Sequence, residues 1–233
     1  MAWLAVPEAV LGVMLVLGLL TRIAAVAMLA CFALSFALFP GGDAVDLIVV
    51  PGLAIYLLAF GRGRLALDNL FHGSHVLSLA AAARALDHLG LPALRVLAGI
   101  ELVVLGLNEK LLYPQFGLHF LEERPWLNFM AGLGFAFPND LFVLCAGLVE
   151  VGVGVLLLAG IFPRLLVVVV AILFSITFTT IGVPEQYGHL AYVGAAVVIF
   201  IQGGGRYDLP GWIRTQLGQR VPRELPAAPR PAS

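Results

Sequence analysis

Charge is scarce along this chain. Only 12% of its 233 residues are Asp, Glu, Lys or Arg, against about 25% in a soluble domain. With 61% hydrophobic residues and a mean hydropathy of +1.01, that scarcity excludes an ordinary soluble globule. Cysteine is scarcer still. Cys31 and Cys145 stand in separate apolar segments, so they form neither a disulfide framework nor a CxxC redox or metal site. A bis-His haem needs two inward histidines on facing helices, and only His189 stands near an apolar span. No cysteine cluster suits iron–sulfur ligation, no metal site is expected, and no Gly-rich phosphate motif opens a helix after a strand. Period-two alternation is lacking too, so helices rather than a barrel must satisfy the backbone in lipid. The opening stretch lacks a basic n-region and an A-x-A site, which argues against a cleaved signal peptide.

What is present is a series of apolar runs, each long enough to cross a hydrocarbon core of roughly 30 Å. The runs predict an all-α, polytopic membrane protein with seven transmembrane helices, at 4–20, 22–39, 45–60, 93–113, 139–160, 163–182 and 187–202. "PGGD" at 40–43 separates the second from the third, and "GVPEQYG" at 182–188 the sixth from the seventh. Residues 64–92 read as a cytoplasmic linker with an amphipathic helix from about Leu77 to Leu89. Residues 114–138 read as an outer loop whose aromatic rings settle at the membrane interface. The Pro-rich end after Trp212 reads as disordered.

Basic residues sort by side. Arg22, Arg62, Arg64, Arg84, Arg95, Arg164, Arg206, Arg214, Arg220, Arg223 and Arg230 fall on one side of this topology, Lys110 and Arg124 on the other. The positive-inside rule makes the Arg-rich side cytoplasmic. The expectation is a multi-pass protein of the inner (cytoplasmic) membrane, N-terminus outside and C-terminus inside. Its partners are then membrane lipid and other subunits of a membrane complex, not nucleic acid.

Two stretches share a layout: "AVPEAVLGVMLVLGLLTR" at 5–22 and "GLVEVGVGVLLLAGIFPR" at 147–164. Glu150 minus Glu8 is 142, as are Gly154 minus Gly12, Gly160 minus Gly18 and Arg164 minus Arg22. The offset runs without a gap through Phe174/Phe32, Phe178/Phe36 and Gly194/Gly52 to Gly203, Gly205 and Arg206 against Gly61, Gly63 and Arg64. Matched Glu, Gly and Arg over some sixty residues predict an internal duplication. Equivalent helices are four spans apart, so the copies are parallel rather than inverted. The first copy, 1–63, has three helices. The second, 93–210, has four, because the helix at 93–113 has no counterpart. The linker at 64–92 joins them, and 211–233 is the tail.

The second copy resembles the DoxX family of four-helix membrane proteins. The features that carry the resemblance are Arg95…Gly106…Lys110 with "EKLLYP", then "GLVEVGVGVLLLAGIFPR", "PEQYGHLAY" and the closing "GGGRYDL". The family's namesake belongs to a membrane thiosulfate:quinone oxidoreductase, and other members are partners in redox assemblies. The resemblance implies a four-helix bundle and a membrane subunit that binds quinone or anchors a catalytic partner. The alternatives are a structural or assembly subunit, or a small-solute or proton-coupled transporter. The first copy departs from the pattern, with Leu47 opposite His189 and Asp43 opposite Glu185.

The candidate site residues are polar groups stranded in apolar spans. A carboxylate ionised near the midplane costs at least ~2.5 kcal/mol on insertion scales, so Glu150 is protonated, paired or facing a wet cavity. It either handles protons or a quinone hydroxyl, or hydrogen-bonds another helix. Glu101, in "LAGIELVVLG", has no charge partner one turn away. It either shares a proton with Glu150 or packs separately. His189 is expected at the start of the last helix beside Glu185 and Tyr187, as a proton exchanger or an interfacial hydrogen-bonder. Lys110 either snorkels or pairs with Glu109 or Glu150. Glu150, His189, Lys110 and Tyr113 are the possible quinone contacts.

Overall fold

The computed structural model describes residues 2–38, 47–61, 63, 66–69, 80–178, 183–205 and 209–218. Asp43, Arg62, Arg64, Arg206, Arg220, Arg223, Arg230 and most of the linker lie outside them, as do the side chains of Glu8, Arg214, Glu185 and Tyr187. Every regular element among the described residues is helical. In chain order they are α1 (Ala2–Leu17), α2 (Thr21–Leu38), α3 (Val49–Phe60), α4 (Ala80–Leu86), α5 (Gly90–Leu105), α6 (Pro114–Glu123), α7 (Phe129–Gly132), α8 (Asn139–Ala159), α9 (Pro163–Phe178), α10 (Val183–Gln202) and α11 (Leu209–Gly218). A π turn over Gly106–Leu112 extends α5. Three stretches are long and apolar enough to cross a membrane: Thr21–Leu38, Gly90–Leu112 and Asn139–Ala159. Val49–Phe60, Pro163–Ser175 and His189–Gln202 are apolar but shorter.

Several elements differ from expectation. Of the helix expected from Leu77 to Leu89, Ala80–Leu86 is α4 and 87–89 form a turn, while 77–79 lie outside the described residues. The segment at 114–138 is not a plain loop: it holds α6, a 3-10 turn at Pro125–Leu127 and α7. Buried Asn128 organises it, donating to the Phe137 carbonyl at 2.8 Å and to Asn139 Oδ1 at 2.9 Å and accepting from the Ala131 amide at 3.2 Å. The proline in "GVPEQYG" does not delay the last helix, because α10 already begins at Val183. Pro184 sits in its first turn, where the amide would lack an intrahelical partner anyway. The tail beyond Trp212 is helical through Gly218.

The core sits between α3, α5, α8, α9 and α10, around Val49, Leu94, Leu102, Leu157, Ala195 and Ile199. Helices α5 and α8 approach through paired glycines. A Cβ on Gly154 would lie 2.7 Å from the Gly99 carbonyl oxygen, and one on Gly99 would lie 2.9 Å from that of Gly154. Seven residues on, Gly106 faces Glu150 and Val151, and Gly147 faces Lys110 and Leu111. Glycine permits this backbone contact, and packing of this kind drives helix association in lipid.

The turns after α1 and α8 share a geometry at positions 142 apart. Gly18 (φ 62°) and Gly160 (φ 71°) are left-handed. Leu20 (φ 47°) and Phe162 (φ 46°) are the two non-glycine residues with positive φ among those described. Gly18 N bonds to Leu15 O and Leu19 N to Met14 O, while Gly160 N bonds to Leu157 O and Ile161 N to Leu156 O. Both are Schellman caps. Next, Arg22 Nε donates to Leu58 O at 3.2 Å and Arg164 Nε to Phe200 O at 3.0 Å. Each guanidinium packs on a glycine that ends the receiving helix, Gly61 or Gly203.

Candidate functional site

The polar groups lie in two layers. At the end of the bundle where α3, α8 and α10 terminate, arginines bind orphan carbonyls. Arg95 is only 2% exposed. It donates to Gly204 O and, at 3.4 Å, to Leu158 O. Arg164 adds a second bond to Ile201 O at 3.2 Å. A cation at a helix C-terminus meets both the unpaired carbonyls and the negative end of the dipole. The sequence reading used Arg22, Arg95 and Arg164 as markers of topology, repeat and resemblance, not as caps. Nothing in a single apolar sequence reveals that an arginine will bind a carbonyl sixty or a hundred residues away.

The second layer lies deeper in the helices. Lys110 Nζ stands 2.9 Å from Glu150 Oε2 and 3.9 Å from Glu109 Oε2. Of the two carboxylates within reach of Lys110, Glu150 on α8 is the nearer and the one that accepts a hydrogen bond from it. The pair is partly open: the Lys110 and Glu150 side chains are 22% and 24% exposed. Lys110 rides on the π turn, a distortion enriched at functional sites. The glycines at 106 and 147 let the two backbones close until the short gap fits a direct ion pair. In lipid, each charge offsets the cost of the other.

Glu101 serves differently. It is 3% exposed, and its Oε2 accepts from the Val49 amide at 2.6 Å. Val49 is the first residue of α3, so the carboxylate caps a helix that starts inside the bundle. Glu101 and Glu150 thus have separate partners. Tyr192, on α10, is buried. Its hydroxyl donates to the Ala98 carbonyl at 3.3 Å and its ring stacks on Phe174 at 5.6 Å. His189 lies six residues inside α10, not at its start, with its ring edge-on to Phe174 at 5.6 Å. Tyr113 closes the π turn, is exposed, and meets Phe116 edge-to-face.

The core cavity is about 10 Å³ and apolar, lined by Ala98, Val153, Leu157, Val170, Tyr192 and Ile199 among others. That is room for about one water molecule, and neither Glu101 nor Glu150 lines it. Among the described residues no His, Cys, Asp and Glu gather in a metal-ligating group. Compared with protein-family models, curated proteins and solved structures, the chain matches none.

Proposed function

We propose that this chain is an integral membrane subunit of a redox assembly, built as two parallel DoxX-like copies of three and four helices, with the Lys110–Glu150 pair as its chemical centre. The observation that carries the reading is that pair: an ammonium and a carboxylate 2.9 Å apart, on a π turn, partly open at the edge of the bundle. A quinone presents a carbonyl acceptor when oxidised and a hydroxyl donor when reduced. Lys110 offers the donor for the first and Glu150 the acceptor for the second. A water-sized cavity has no space for a quinone ring, so the head group docks beside the π turn, next to exposed Leu112 and Tyr113. The two-copy reading is supported by the shared Schellman caps, the positive φ at Leu20 and Phe162 and the two arginine caps, all 142 residues apart. Seven spans follow when α1 (Ala2–Leu17) and the three shorter apolar helices are counted with the three long ones. The arginine layer then faces the cytoplasm, and Lys110 the outer side of the inner membrane.

The test is photolabelling of the chain in lipid nanodiscs with an azido-quinone. Labelling is expected on α5, the π turn and α8, and Glu150→Gln is expected to lower it at least about fivefold, consistent with losing one charge-assisted hydrogen bond. Because the amide still offers Lys110 an acceptor and Glu109 stays 3.9 Å away, melting of this variant is expected to fall less than that of a variant lacking the Lys110 charge. Labelling that ignores Glu150→Gln defeats the redox reading.

A structural or assembly subunit is the second reading. It is favoured by the use of Glu101 and the three arginines as helix caps. The transporter reading has less support, since the core cavity reaches neither carboxylate.

A further inference from the structure

The π turn carries more charge than the Lys110–Glu150 pair uses. Lys110 Nζ lies 2.9 Å from Glu150 Oε2 and 3.9 Å from Glu109 Oε2, so one ammonium stands between two carboxylates. The two acids differ in their surroundings. The Glu109 side chain is 48% exposed, against 24% for Glu150 and 22% for Lys110. Asn108 beside Glu109 is exposed as well, and the turn ends shortly beyond, at Leu112. A carboxylate as open as Glu109 is retained only where water or headgroups reach it. Glu150 stands near the middle of α8, behind Lys110. Among the described residues, the other charged or titratable groups around α8 are engaged elsewhere. Arg95 binds carbonyls at the far end of the bundle, and Arg164 caps α10 there. Glu101 takes the Val49 amide, and Tyr192 gives its hydroxyl to the Ala98 carbonyl. His119 stands by Glu122 and Glu123, Arg124 pairs with Glu123, and Tyr113 meets Phe116. On α8 itself, Asp140 and Cys145 lie more than a turn toward its start.

We propose that Glu109 is the outer end of a proton path to Glu150, with Lys110 as the bridge. The inference deepens the reading above and rests on its use of Glu150 as the acceptor at the site. A carboxylate that takes a proton from a bound hydroxyl must pass it on before it can accept another. The path does this with no further reactant. Lys110 gives one N–H proton to the Glu109 carboxylate and takes the Glu150 carboxyl proton in return. Lys110 ends as the ammonium it was, Glu150 as a carboxylate and Glu109 as a carboxyl, which yields its proton to the outer water. The step between Lys110 and Glu150 is a direct hydrogen bond at 2.9 Å. The 3.9 Å step to Glu109 is longer than a hydrogen bond. A swing of the flexible lysine stem, or one bridging water, closes it. Glu109 acts through Lys110, so its removal is read in the rate of proton exchange at Glu150.

The test uses the full chain in lipid nanodiscs with no quinone added. Infrared difference spectroscopy reads the carboxyl C=O band that vanishes in Glu150→Gln. After an upward pH jump that band is expected to decay, and Glu109→Gln is expected to slow the decay at least about tenfold. Glu109→Asp keeps a carboxylate and is expected to retain most of the rate. Lys110→Met breaks the path at its bridge and is expected to slow the decay likewise, which holds the test open should Glu109→Gln fold poorly. Glu122→Gln, at an exposed carboxylate of α6, is expected to leave the rate unchanged. A rate equal to wild type in Glu109→Gln or Lys110→Met overturns the proposal. So does a Glu150 that shows no titrating carboxyl band. The redox reading fails separately: azido-quinone labelling that ignores Glu150→Gln, alongside slowed exchange in Glu109→Gln, removes that reading and leaves the proton path.

Discussion

Helices α1 and α8 end in matching turns but stand in different surroundings. Both close with a left-handed glycine, both are followed by a strained Leu or Phe, and both lead to an arginine that caps a later helix. Yet α8 lies against α5 along paired glycines, while α1 has α2 as its main helix neighbour. The contrast separates two kinds of information. A cap is set by residues within one or two turns, so the two stretches form it independently of what packs nearby. A helix interface needs a partner, and Gly12, at the spacing of buried Gly154, is exposed.

The sharpest way to break the comparison is a pair of matched substitutions. Gly154→Leu drives a side chain into the Gly99 backbone and is expected to cost about 3 kcal/mol or more. Gly12→Leu meets open space and is expected to stay within about 0.5 kcal/mol of wild type. Thermal melting in detergent reads both, and equal losses would mean that α1 is covered as α8 is. A smaller effect is expected from Lys110→Met, which leaves Glu150 without its cation. We expect about 2–3 kcal/mol, toward the low end for a broken buried pair because both side chains are partly exposed. Lys110→Met with Glu150→Gln should restore most of that loss. Next come the caps. Arg164→Ala removes two carbonyl bonds and Arg22→Ala the bond to Leu58 O. The expected losses are about 2 and about 1.5 kcal/mol, and a negligible loss at either site would weaken the equivalence of the two turns. The smallest perturbation is topological. A membrane-impermeant thiol reagent applied to intact cells should reach a cysteine at exposed Glu122 but not one at exposed Asp87. Stability should not change at either position.

Much of this architecture is readable from residues alone, for identifiable reasons. The long apolar runs at Thr21–Leu38, Gly90–Leu112 and Asn139–Ala159 announce themselves, because few charges interrupt them. The Lys110–Glu150 pair was among the open alternatives, since a midplane carboxylate must find a partner. The role of Glu101 was not legible. Its acceptor oxygen meets a backbone amide, and backbone amides leave no mark in a sequence. The π turn was hidden for the same reason, since an i→i+5 bond alters no residue type. Nor was the part played by Asn128 legible: it is buried and makes three hydrogen bonds, to Phe137, Asn139 and Ala131, that no local pattern announces.

The bond from Val49 to Glu101 also bears on the order in which the protein is made. Helix α3 is 12 residues long, about 18 Å at 1.5 Å per residue. Its first amide finds an acceptor 52 residues later in the chain. When α3 leaves the ribosome, α5 does not yet exist, and the amide must use water or lipid headgroups. Only once α5 is present, with Leu94 against Gly52 and Glu101 against Val49, is the start of α3 held as in the finished fold. The placement of α3 is therefore provisional until the middle of the chain completes it.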